Sequence, residues 1–208
     1  MFLSDKLIIN GYKRGIFPMA ESADDPYIFW VSPEKRGVIF TKEFYLTKSL
    51  KKIIKKNEFI IKVNHNFKTV ILCCSQKNEK RTNTWINNQI IDNYTKLFEK
   101  GLAKSVECYQ ENKLVGGLYG VKIGSIFFGE SMFSYKTNAS KVALVYLAAL
   151  LKEGGFKVID TQFITEHLKQ FGAKEIPKNT YLKILERYID QEKTFPTRLK
   201  KNILDYFN

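Results

Sequence analysis

Apolar and polar positions divide the chain into a turn-rich start and a longer run of regular elements. Over residues 46–56, Leu46, Leu50, Ile53 and Ile54 recur at helical spacing, and Lys48, Lys51, Lys52, Lys55 and Lys56 fall on the opposite side. That pattern predicts an amphipathic helix. A strand is expected over 59–63. A second helix is expected from Trp85 to Gly101, with Asn83 or Thr84 as its cap and Ile86, Ile90, Tyr94, Leu97 and Phe98 on its apolar side. Strands are then predicted over 105–110, 114–123 and 125–133, the last two forming a hairpin around Gly124. Residues 139–152 are apolar almost all round (Val142, Leu144, Val145, Leu147, Leu150, Leu151), so this helix should be buried. Gly154 and Gly155 are a good stop for it. A strand over 156–163 and a helix over 178–191 complete the regular elements. The first forty-odd residues are punctuated by Gly15, Pro18, Asp24-Asp25-Pro26 and Ser32-Pro33, which predicts turns rather than long elements.

The order strand, hairpin, buried helix, strand implies a crossover and a parallel pair inside a mixed sheet. The fold class is therefore α/β (a mixed α+β sheet), and an acetyltransferase-like domain suits the order. Three regions are expected: a small N-terminal subdomain over 1–45, a catalytic domain over 46–195, and a basic, peripheral tail over 196–208.

Charge alters this picture only with respect to partners. The chain has 34 Lys+Arg against 21 Asp+Glu, a formal net charge of +13. Nucleic acid, an anionic membrane or an acidic protein would all answer such a surplus. The lysine side of residues 46–56 is the localised basic face that favours nucleic acid. Cys73, Cys74 and Cys108 are too few and too irregularly spaced for a disulfide framework or a zinc site, and read as small buried residues in a reducing compartment. The start of the chain lacks the pattern of a signal peptide. The longest apolar run, over 142–151, is about half of what a bilayer span requires. A soluble cytoplasmic protein without membrane or metal is expected.

Several residues invite a chemical reading beside a structural one. Gly116, Gly117 and Gly120 lie inside a strand pattern, so they mark close backbone approach, a bulge, or approach of a ligand, not a phosphate loop. Trp30 and Trp85 are either core aromatics or platforms for a nucleic-acid base. His65 and His167 have no ligand pattern around them and read as structural. A His–Cys108 nucleophile pair is formally open. Glu130 stands among apolar and small residues, either on a solvated strand side or buried with a partner. Asp160 ends an apolar strand, and Gln162, two residues on, shares its face. Strand ends of open α/β sheets border ligand crevices.

An ordered set of short segments carries a resemblance. It runs from Gly11-Tyr12-Lys13-Arg14-Gly15-Ile16-Phe17-Pro18-Met19 through Phe29-Trp30-Val31-Ser32-Pro33, Arg36-Gly37-Val38-Ile39, Val63-Asn64-His65-Asn66-Phe67 and Thr84-Trp85-Ile86. It continues with Ser105-Val106-Glu107-Cys108, Leu114-Val115-Gly116-Gly117-Leu118-Tyr119-Gly120, Phe128-Gly129-Glu130-Ser131-Met132-Phe133-Ser134 and Ala139-Ser140-Lys141. Asp160-Thr161-Gln162-Phe163, His167-Leu168, Gly172-Ala173 and Glu175-Ile176-Pro177 close it. No single piece is specific; all of them in order, over about residues 11–182, are. Together they resemble the leucyl/phenylalanyl-tRNA–protein transferases of bacteria.

The resemblance implies an acetyltransferase-like catalytic domain behind a small N-terminal one, with no metal and no coenzyme A. It implies transfer of Leu, with Phe and Met as further donors, from aminoacyl-tRNA to acceptor proteins that begin with Arg or Lys, marking them as N-degrons. Asp160, Gln162 and Glu130 are then the catalytic candidates. Leu118, Phe127, Met132 and Leu147 are candidates for the pocket of the transferred side chain. Trp30, Trp85, Lys48, Lys51, Lys52, Lys55 and Lys56 are candidates for tRNA contact. A basic protein that receives a cationic terminus needs a local acidic spot, for which Glu130 and Asp160 are available. Three rivals stand beside this reading: a coenzyme A-dependent N-acetyltransferase of the same fold, a non-catalytic RNA-binding protein, and a related transferase that prefers other acceptors. The first normally needs a glycine-bearing loop before the crossover helix, and the segment 134–140 has no glycine.

Overall fold

The computed structural model describes residues 3–77 and 82–207. The start of the chain is more regular than its turn residues suggest. Ser4 accepts the Leu7 N–H and opens α1 (Asp5–Lys13), which buries Ile8, Gly11 and Tyr12. Gly11 is tolerated inside this helix because the Trp30 ring lies directly on it; a Cβ there would stand 2.2 Å from Trp30 Cζ3. β1 (Phe17–Met19) and β2 (Phe29–Val31) form a small antiparallel ribbon. β3 (Lys35–Phe40) and α2 (Lys48–Lys56) follow. Thr47 caps α2, Asn57 closes it in the left-handed conformation, and Leu50 and Ile54 are its buried side.

β4 (Ile60–Val63) leads to α3 (Phe67–Ser75) and α4 (Asn88–Glu99). The Asn87 side chain caps α4 by accepting the Ile90 N–H, so the helix starts after Trp85 and neither Asn83 nor Thr84 is its cap. β5 (Ala103–Gln110), β6 (Lys113–Ile123) and β7 (Ile126–Ser134) run as a meander. α5 (Ala139–Glu153) crosses over to β8 (Val158–Gln162). The short α6 (Glu166–Lys169), then β9 (Lys174–Pro177) and α7 (Lys178–Tyr188), complete the order.

Seven strands form one mixed sheet in the order β4-β5-β6-β7-β8-β3-β9. Every pairing is antiparallel except β7 with β8, which α5 connects. The expected mixed α/β class is what the chain adopts. Each sheet face carries its own core. One gathers residues of α1, α3, α4 and α7, including Tyr12, Tyr94, Phe128 and Tyr181. The other gathers α2, α5 and the C-terminal segment, including Phe127, Leu147 and Ile159.

Two expected boundaries do not hold. β3 lies between β8 and β9 inside the large sheet, so residues 35–40 belong with the part expected to begin at 46. Its short apolar run was hidden among turn residues, and its strand partners are far along the chain. The basic tail is not peripheral either. Residues Ile203–Tyr206 form a short 3-10 turn that buries Ile203 and Tyr206 against α5, and Lys152 Nζ donates to the Tyr206 carbonyl at 2.8 Å. The glycines of β6 take the structural reading. A Cβ at Gly116 would lie 2.5 Å from Ala139 Cβ, and one at Gly120, beside a bulge, 2.3 Å from the Phe128 carbonyl oxygen.

Removing residues 197–208 should cost roughly 3–6 kcal/mol of stability, from two buried side chains at about 1.5–3 kcal/mol each. Urea unfolding of the truncated and full chains checks this; equal midpoints and slopes would restore the peripheral tail.

Candidate active site

β7 and β8 pair in parallel only at Ile126↔Val158, Phe127↔Ile159 and Phe128↔Asp160. Beyond that point β7 stays with β6 and β8 stays with β3, where Gly37 pairs with Gln162 across a bulge. The two strands thus part inside the sheet. A side-chain hydrogen bond spans the gap: Gln162 Nε2 donates to Glu130 Oε1 at 2.9 Å. Glu130 comes from β7 and Gln162 from β8.

Two phenols complete the surroundings of Glu130. Tyr12, on α1, donates to Oε1 at 2.5 Å, and Tyr94, on α4, donates to Oε2 at 3.1 Å. The two hydroxyl oxygens are themselves 2.5 Å apart. Burial and the neighbouring Glu130 push both phenols well above their ordinary range, so they remain protonated. Burial also raises Glu130, to about 7, against the hydrogen bonds from Tyr12 and Tyr94 that favour its charged form. The side chain retains part of its surface on the pocket described below.

Asp160 has no exposed surface. Arg36 holds it with two hydrogen bonds, Nε to Oδ1 at 2.9 Å and Nη2 to Oδ2 at 2.7 Å. Tyr181 donates to Oδ2 at 2.6 Å, and the Gln162 backbone N–H donates to Oδ1 at 2.8 Å. Arg36 is itself 1% exposed, and its guanidinium lies 4.6 Å from the ring centres of both Phe17 and Tyr181. An acid so enclosed and paired offers no charge to a peptide terminus, which corrects the expectation that Asp160 shares that task with Glu130.

On the other side of the split lies an apolar pocket of about 440 Å³, its open mouth included. Leu118, Phe127, Met132 and Leu147 all line it, together with Leu144, Ile159 and Leu168. Glu130 is the carboxylate in its wall. Thr161, also in the wall, has a buried hydroxyl with no hydrogen-bond partner among the described residues.

The remaining candidates are dispersed. The lysine side of α2 is largely exposed, with Lys48, Lys52, Lys55 and Lys56 open, Lys51 half-buried, and Lys56 3.7 Å from Glu58. α2 packs on the α5 side of the sheet. Trp30 and Trp85 are half-buried on the opposite side, against the core that contains Tyr12. The lysines and the tryptophans therefore lie in different layers. Cys108 is buried, donates to the Ala139 carbonyl, and is pushed by burial to about 12, which removes it as a nucleophile. His65 is exposed, and His167 packs edge-on to Phe171.

A split sheet with an apolar pocket on one face and a tyrosine–carboxylate cluster on the other can be compared with known proteins. The family model described as leucyl/phenylalanyl-tRNA protein transferase matches residues 38–186, and the model of that family's N-terminal domain matches residues 3–34. The chain belongs to the leucyl/phenylalanyl-tRNA protein transferase family. A curated relative, the leucyl/phenylalanyl-tRNA–protein transferase of Paramagnetospirillum magneticum, is 49% identical over 179 residues, 86% of each chain. Among solved structures, L-PGS from Bacillus licheniformis is distantly similar, at a TM-score of 0.42 and 13% identity, over 76% of this chain and 53% of that one.

Four residues of this family member's site had no role in the sequence reading: Tyr12, Tyr94, Arg36 and Tyr181. A signal existed for Arg36. A buried carboxylate at Asp160 requires a cation, and Arg36 stands directly before the apolar run Gly37, Val38 and Ile39. The tyrosines gave none, since a tyrosine on an apolar helix side reads as core.

The raised Glu130 makes a testable contribution to stability. Between its ordinary value of 4.5 and about 7, the folded chain holds a proton that the unfolded chain has lost. Stability therefore falls as pH rises through that window. Glu130→Gln lacks this effect, so its stability should gain on the wild type from pH 4.5 to 7 and run parallel above. Denaturant unfolding of both across that range decides it; parallel curves throughout would reject the raised value.

Proposed function

We propose that this chain transfers leucine, and also phenylalanine and methionine, from aminoacyl-tRNA to the N-terminal Arg or Lys of acceptor proteins, and so marks them for N-degron degradation. The observation that carries the reading is the pocket: an apolar cavity for one side chain, with the single carboxylate Glu130 in its wall, in a chain of this family. The small N-terminal part contributes Tyr12 to the same cluster. At the start of α5, the Ser140 N–H is already directed at Ser134 Oγ (3.3 Å), which leaves one donor fewer for the pyrophosphate of a coenzyme.

The reaction is aminolysis of an ester. A C–N bond forms, the C–O bond to the ribose breaks, the amine loses a proton and the ribose hydroxyl gains one. An α-amine has an ordinary pKa of about 7.7–8.0, so freeing it at pH 7 costs only about 1 kcal/mol. The step needs position more than basicity. Gln162 donates its NH₂ to Glu130, and its carboxamide oxygen takes no hydrogen bond from the described residues. That oxygen can accept from the amine. Glu130, titrating about 7, is placed to meet the cationic terminus. Asp160 acts behind them. Both its oxygens already accept, so Asp160→Asn must turn an NH₂ group toward existing donors. Loss of transfer in that variant would therefore not identify Asp160 as a base.

The deciding experiment supplies tRNA charged with labelled Leu, Phe or Met and peptides that differ only in the first residue. Product is expected with Arg and Lys peptides and not with acidic ones. Acetyl transfer from acetyl-coenzyme A without any aminoacyl product would reject the reading.

The lysine side of α2 is proposed as a tRNA-binding face. Replacing Lys52 and Lys55 by Ala should weaken tRNA binding and flatten the plot of log affinity against log salt by roughly one for each phosphate left without its lysine. Unchanged affinity and slope would leave this face merely solvated.

A further inference from the structure

We infer that Tyr181 and Arg36 are positioning residues for the transfer step, acting on Gln162 through Asp160; the inference rests on the transferase reading above. Its starting point is the backbone. Gln162 has φ +60, a left-handed conformation that a non-glycine residue adopts at a cost and keeps only where its surroundings over-determine it. Only 7% of the residue is exposed. Its backbone N–H is held by Asp160 Oδ1, and its carboxamide by Glu130. The same turn thus carries the strained residue and the amide that faces the reaction.

Asp160 can restrain this turn only if its own carboxylate cannot rotate. Tyr181, from α7, donates to Oδ2, and the planar fork of Arg36, from β3, donates to both oxygens. The fork is fixed between the Phe17 and Tyr181 rings, and Arg36 Nη1 donates to the Gly15 carbonyl at 3.3 Å. Neither Tyr181 nor Arg36 lines the pocket. Without the Tyr181 hydroxyl, Oδ2 retains only Arg36. The carboxylate is then clamped by Arg36 alone, and its hold on the Gln162 amide loosens.

Tyr181→Phe tests this while keeping the ring on Arg36. The expected result is a kcat lower by about ten- to a hundredfold, the scale of a misplaced reacting group, with tRNA Kd unchanged and faster hydrogen exchange of the Gln162 amide. In a Gln162→Ala background the same substitution should lower kcat no further, although it lowers Tm in both backgrounds. A structural role alone predicts the same fractional loss in both. Equal losses, or a wild-type kcat in Tyr181→Phe, would overturn the inference while leaving the transferase reading intact. If Gln162→Ala has no measurable rate, unchanged protection of the Gln162 amide in Tyr181→Phe overturns it. A wild-type chain that makes no aminoacyl product overturns the transferase reading and this inference together.

Discussion

The buried pair of Arg36 and Asp160 is the constraint on which the site depends. Two charges removed from water are costly, and their attraction compensates only when geometry and further hydrogen bonds are good. Here each carboxylate oxygen accepts two donors, and the guanidinium is enclosed by two rings. Removing one partner of such a pair typically costs about 3–5 kcal/mol, because the other charge is left buried and alone. The pair also joins segments far apart in sequence: the Gly15–Phe17 segment, β3, β8 and α7. Wherever these meet, Gln162 is fixed.

The split between β7 and β8 then sorts chemistry by face. Side chains alternate along a strand. Ile159 and Thr161 consequently line the apolar pocket, while Asp160 and Gln162 point into the layer of Tyr12, Tyr94 and Tyr181. Glu130 belongs to both, since it borders the pocket and accepts from that layer. An apolar donor side chain and a charged acceptor terminus have opposite solvation needs. A sheet that opens for only a few residues presents an apolar face and a polar one, both within reach of one carboxylate.

What could be read from the sequence follows from range. The hairpin, α5, β8 and α7 announce themselves by local periodicity and stops, and lie within a few residues of expectation. The four expected pocket residues, taken from the resemblance and their placement, do share one cavity. α3 was not legible, and the reason is physical. Its cap residue Asn66 makes no side-chain capping bond; Glu107, far along the chain on β5, accepts the His65 and Asn66 N–H groups instead. Arg36 illustrates the same limit within the site. With 34 Lys+Arg in the chain, only the β3–β8 register selects the cation that meets Asp160. The core role of Ile203 and Tyr206 was hidden by the lysines around them.

Burial raises Glu130 to about 7, and the protons available in its cluster decide which hydrogen bonds each form can make. Tyr12, Tyr94 and Glu130 meet in three places: phenol to phenol, and each phenol to one carboxylate oxygen. Each phenol has one proton to donate. With Glu130 ionised, two protons serve three meetings, and one pair of oxygens faces each other without a hydrogen between them. With Glu130 protonated on Oε2, the ring closes: Oε2–H to Tyr94, Tyr94 to Tyr12, Tyr12 to Oε1, while Gln162 still donates to Oε1. The neutral acid satisfies every oxygen of the ring in one direction. The charged acid is favoured instead by its donors and by whatever water reaches the pocket. Burial supports the neutral form and hydrogen bonding the charged one, and the two come into balance at about 7. Neither Tyr12 nor Tyr94 could be replaced by phenylalanine without removing both a donor and a link of that ring. Burial thus favours the neutral carboxyl on β7, and two tyrosines of the helical layer oppose it.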